Sequence, residues 1–65
     1  MSNELLKYLA DKVNAEIAVL SSDLARGTAK DHGEYKYACG IIRGLMIANS
    51  MFEETSRKME EEYDD

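Results

Sequence analysis

A chain of 65 residues and 7.3 kDa, with 45% hydrophobic and 32% charged residues, no Pro, no Trp and a net charge of −5, can hold one small domain at most. It is too apolar for plain disorder, and its longest uncharged run, Gly44–Phe52, is nine residues, against the roughly 20 that a membrane span needs. One cysteine excludes an internal disulfide framework and points to a reducing compartment, and no basic segment followed by an apolar block opens the chain, so no secretory signal is expected.

The first element runs from about residue 3 to 26. Leu6, Ala10, Val13, Ile17, Leu20 and Leu24 follow one another at spacings of 4, 3, 4, 3 and 4. That seam predicts one amphipathic helix packed on another. Ser2 or Asn3 can cap its start, because a short side-chain oxygen reaches the free amides of a first turn. Arg26 places a cation near the negative end, and Gly27 can take the left-handed conformation that stops the helix. Leu5, Leu9 and Val19 lie off the seam and need some other cover.

A short turn, residues 27–31, follows. Two caps are open for the next helix: Thr28 with Asp31, or Asp31 with Glu34, the latter leaving Gly33 in the first turn. The second helix is expected over about 31–62. Ala38, Leu45, Phe52 and Met59 recur every seven residues, with Ile41 or Ile42 and Ala48 or Asn49 at the alternate positions. A short turn makes the helices antiparallel neighbours. Pairing outward from it sets Leu20 against Tyr35, Ile17 against Ala38, Val13 against Ile42, Ala10 against Leu45 and Leu6 against Asn49. Phe52 then covers the start of the first helix, and the longer second helix overshoots with its acidic end.

Charge is uneven along the chain. Residues 1–52 hold six acids and six bases, and residues 53–65 hold seven acids against Arg57 and Lys58. A neutral body with an acidic end does not suit a phosphate backbone, which calls for a concentrated basic surface. Lys36, Arg43 and Arg57 make only a sparse stripe. Neither nucleic acid nor membrane is therefore expected as a partner.

Catalytic chemistry finds little to work with. Cys39 reads as an inert thiol, buried or half-buried, and a nucleophile would need a base and an orienting group beside it. His32, the single histidine, reads as a turn residue two helical turns away. One Cys and one His fall short of a zinc set. Glu60, Glu61 and Glu62 are consecutive and splay around a helix, and the chain carries no Glu-x-x-His pattern and no phosphate-binding glycine loop. Tyr35 and Tyr37, on different sides of the helix, read as rings on a core edge with the hydroxyl in water. The expectation is a non-catalytic protein without cofactor or metal.

Gly40 and Gly44 are the residues that call for a reason. A glycine inside a helix costs about 1 kcal/mol relative to alanine. The pair shares a face with Tyr37, Ile47 and Met51, spaced 3, 4, 3 and 4 and placed beside the seam. Small residues at this spacing let a backbone or a bulky ring approach closely. They serve either packing within the hairpin or a second surface for self-association or a partner. Because a two-helix hairpin buries only one side of each helix, and Leu9, Val19, Met46 and Met51 add uncovered apolar area, the second surface is the expectation. Tyr37, Gly40, Gly44, Ile47 and Met51 are its candidate interaction residues.

The stretch from Leu24-Ala-Arg-Gly-Thr-Ala-Lys-Asp-His-Gly-Glu-Tyr through Lys-Tyr-Ala-Cys-Gly-Ile-Ile-Arg-Gly-Leu-Met-Ile-Ala48 resembles a group of very small helical proteins of tailed bacteriophages, especially short-tailed ones. The likeness lies in a turn with Gly or a small polar residue, a Lys-Asp-x-x-x-Tyr-like start, a Gly-x-x-x-Gly-Leu core and an acidic end. It implies a phage accessory protein, often encoded among virion-assembly genes and without an assigned activity. Asp31, Tyr35, Gly40, Gly44 and Leu45 would be the shared positions, in fold-and-packing roles. The first helix carries no part of the likeness.

Taken together, the sequence predicts an all-α antiparallel two-helix hairpin, residues 1–65, completed by oligomerisation as a dimeric four-helix bundle. Its expected partners are itself and another protein, viral or host, in the virion or the host cytoplasm. A competing reading is an acidic phage protein that inhibits or redirects a host enzyme by occupying a basic groove. Partner capture that vanishes between low and moderate salt would favour it, since exposed charges are screened within about 8–10 Å.

Overall fold

Two heptad-patterned segments without proline fold as two helices, α1 over Asn3–Ala25 and α2 over His32–Tyr63, in a computed structural model that describes residues 3–63. They pack against each other as a helical hairpin, and no strand occurs among the described residues. Ser2, Asp64 and Asp65 lie outside the described residues, as does the side chain of Glu62. The molecule is a rod whose longest extent is 53 Å. The 32 residues of α2 account for about 48 Å of that. Neither helix is long and apolar enough to cross a membrane.

The inward stripe of α1 is the one its spacing predicts. Leu6 is buried at 5% exposure, and Ala10, Val13, Ile17, Leu20 and Leu24 are half-buried. From α2 the half-buried Ala38, Ile42, Leu45, Phe52 and Met59 meet them, with Asn49 buried at 7% exposure. Of the two residues available at each alternate position, Ile42 and Asn49 turn inward, leaving Ile41 exposed and Ala48 half-buried.

The turn is closed by main-chain hydrogen bonds. Gly27 takes φ 81°, its N–H donates to the Leu24 carbonyl at 3.0 Å, and the Thr28 N–H reaches back to the Asp23 carbonyl at 3.3 Å. This is the Schellman pattern, which satisfies carbonyls that a helix end would leave open. The Thr28 hydroxyl donates to the same Asp23 carbonyl at 2.9 Å, and Arg26 pairs with the Asp23 carboxylate. Of the two caps open for α2, the later one forms: Asp31 Oδ1 accepts the Glu34 N–H at 2.8 Å.

The layer pairing departs from the simple outward count. Asn49 donates from Nδ2 to Oδ1 of Asn14 at 2.8 Å, two turns further along α1 than Leu6, its expected neighbour. Asn3 donates to Oε1 of Glu60 at 2.8 Å and accepts from the Ser56 hydroxyl, so α2 residues beyond Phe52 also reach the start of α1. At the turn, Leu20 and Leu24 share an open hollow with Tyr37, Ala38 and Ile41. The Arg26–Asp31 link doubles back on the end of α1, and the cross-helix ties lie about one turn (Asn3–Ser56) to two turns (Asn14–Asn49) beyond the outward count. The acidic overshoot shrinks accordingly, because α2 is tied to the start of α1 as far along as Glu60.

Candidate interaction face

Nine residues separate Gly40 from the buried Asn49. At 3.6 residues per turn that is about two and a half turns, or half way round the helix. Gly40 therefore looks away from α1, not along the edge of the seam as the spacing alone suggested, and Gly44, Ile47 and Met51 lie on the same outward side. Their exposure agrees: Tyr37 is 73% exposed, Met51 61% and Ile47 48%, and both glycines are open to solvent.

A Cβ built on Gly40 or Gly44 would meet nothing within 4 Å. Close packing inside the hairpin therefore does not account for either glycine, whereas at Gly33 an added Cβ would touch Asp31 Oδ1 at 3.4 Å. The outward side of α2 thus carries a shallow saddle at the glycines, with Tyr37 at one end and Ile47 and Met51 at the other.

Two apolar hollows border this face. One, towards the turn, is lined by Leu20, Leu24, Tyr37, Ala38 and Ile41, with Thr28, Ala29 and Glu34 at its rim. The other lies along α2 between Cys39, Ile42, Met46 and Ile47, with Arg43 and Ser50 beside it. Met46, Ile41 and Val19 are exposed. Val19 and Met46 were visible in the sequence as residues off the seam. Ile41 was not, because its neighbour Ile42 competes for the same seam position.

Cys39 is a free, half-buried thiol. The sequence gives no link between it and His32, and the structure supplies one in Tyr35, at helix spacings of 3 and 4. The His32 and Tyr35 rings stack with centroids 6.4 Å apart and planes 22° from parallel. The hydrogen bond between the Tyr35 hydroxyl and the Cys39 side chain raises the phenol above its usual range, helped by repulsion between the two ionised forms and by slight desolvation. This is a surface cluster of aromatic and sulfur contacts, and it directs no base at the thiol. No three His, Cys, Asp or Glu side chains converge as metal ligands among the described residues.

The acidic segment is less uniform than its sequence suggests. Glu53, Glu54 and Glu61 share one surface with Arg57, Lys58 and Ser50, and Lys58 Nζ lies 3.8 Å from Glu54 Oε1. The basic side chains therefore sit among the carboxylates of this segment.

The chain matches no family model, no curated protein and no solved structure.

Proposed function

We propose that this chain is a non-catalytic interaction protein, a small virion or assembly component of a tailed bacteriophage, that acts by presenting apolar helix faces to other chains and first of all to copies of itself. The reading rests on one observation: the outward side of α2 is apolar and keeps two helix-weakening glycines whose missing side chains nothing in the hairpin fills. Glycine at two mid-helix positions costs about 1 kcal/mol each. A close approach by another chain offsets that cost, whereas contact with water does not. The resemblance of residues 24–48 to small phage proteins supplies the setting.

Light scattering of the purified chain tests the self-association. Wild type is expected to exceed the mass of one chain, and Gly44→Leu to return it to one chain with its helical circular dichroism largely kept. A well-folded wild-type monomer at high concentration, or an oligomer untouched by Gly44→Leu, would remove the basis of the proposal. The setting has its own test, co-purification of the chain with intact particles from infected cells.

A further inference from the structure

Side-chain size and charge both change along the outward face of α2, about a point between Gly44 and Ile47. Upstream of it lie the two glycines and Lys36, with the exposed Tyr37 at the margin. Downstream lie Ile47, Met51 and Glu54, the last paired with Lys58. A surface of this kind is complementary to its own reversed copy. We infer that the occupant of this face is a second copy of the chain, lying antiparallel across a two-fold axis between Gly44 and Ile47.

In that arrangement Ile47 of each chain seats over Gly44 of the other and Met51 over Gly40, filling space that an added Cβ finds empty. Lys36 and Glu54 lie on the same flank of α2, 18 residues or five turns apart, so the two-fold sets each Lys36 beside the partner copy's Glu54. The Glu54 carboxylate is exposed, held only by Lys58 at 3.8 Å, and Lys36 makes no ion pair among the described residues. A parallel pairing does the reverse on both counts. It stacks glycine on glycine while Met51 meets Met51 and props the helices apart, and it sets Lys36 against Lys36 and Glu54 against Glu54. Because this face looks away from α1, the pair forms a layer of four helices with the two α2 helices in its middle. Such a layer keeps the count of the four-helix bundle expected from the sequence and changes its geometry.

The inference rests on the self-association proposed above, and the two can fail separately. The test uses the full chain in a Cys39→Ser background with single introduced cysteines and mild oxidation. Ile47→Cys should link to itself, because the two-fold leaves the paired positions about 4.5 Å apart along the axis, within disulfide reach. Tyr37→Cys should not link to itself, but a mixture of Tyr37→Cys with Thr55→Cys chains should give the mixed dimer. Self-linking of Tyr37→Cys, or an unlinked Ile47→Cys in a sample that scatters as a dimer, would overturn the antiparallel pairing and leave self-association standing. A single-chain mass for every variant and for wild type would overturn both. Lys36→Glu should weaken dimerisation by about three- to tenfold at low salt and Lys36→Glu/Glu54→Lys should recover it. A double variant as weak as the single one counts against the arrangement.

Discussion

Asn49 is the most telling single residue of the hairpin. It occupies a seam position where leucine would bury more apolar area, and only half of its amide is satisfied: Nδ2 binds Asn14, while Oδ1 is buried with no partner among the described residues. An unmet buried acceptor costs about 1–3 kcal/mol. What the pair supplies in return is position, since a polar side chain at one layer of a helix seam penalises every register that leaves it facing hydrocarbon. Removing one partner therefore harms more than removing both. Asn14→Ala is expected to destabilise the hairpin by about 1–2 kcal/mol. Asn14→Ala/Asn49→Leu is expected to be at least as stable as wild type, with weaker hydrogen-exchange protection near the turn as the register loosens. Urea denaturation reads the first effect and amide exchange the second. Equal stabilities of the single and double variants would count against this role for the pair.

At the scale of the element, the glycines divide by what surrounds them. Gly27 sits at φ 81°, so Gly27→Ala, although it meets no neighbour, carries the left-handed penalty of about 1–2 kcal/mol. Gly40→Ala enters open space on a regular helix and should add about 1 kcal/mol to the isolated chain. In urea melts at high dilution the two substitutions should move the midpoint in opposite directions. In the proposed antiparallel pairing the Gly40→Ala gain should shrink or invert at high concentration, because the Cβ would occupy room that the pairing assigns to Met51 of a second copy. The inward stripe of each helix was legible in the sequence because it depends only on spacing: Leu6 through Leu24, and Ala38 through Met59. The register was not, because it depends on how far the link Arg26–Asp31 doubles back, and the Thr28–Asp23 hydrogen bonds that set this leave no periodic trace. The side of α2 that holds Gly40 was legible only once the seam was known to run through Asn49 and not Ala48. The Tyr35–Cys39 contact, at an ordinary helix spacing, carried no signal beyond that spacing.

For the molecule as a whole, burial is thin. Among the described residues Leu6, at 5% exposure, is the one buried apolar side chain, and a chain this short retains little net stability from one shallow seam. Folding and self-association should then be linked, so that the melting midpoint depends on protein concentration. At about 2.1 cal/mol/K per residue of unfolding entropy, a tenfold dilution of a dimer should lower it by about 5 °C. A midpoint constant over three decades of concentration would indicate a hairpin that stands alone. The bonds from Asn3 to Ser56 and Glu60 carry a mechanical consequence. They bring the start of α1 and the far end of α2 to one pole of the rod, opposite Gly27. Tension applied between those two points peels the helices apart one layer at a time, with the polar ties yielding first, then Leu6, then the Asn14–Asn49 rung. The same rod loaded across its long outer flank must shear many layers at once, so it is soft as a tether and stiff as a strut.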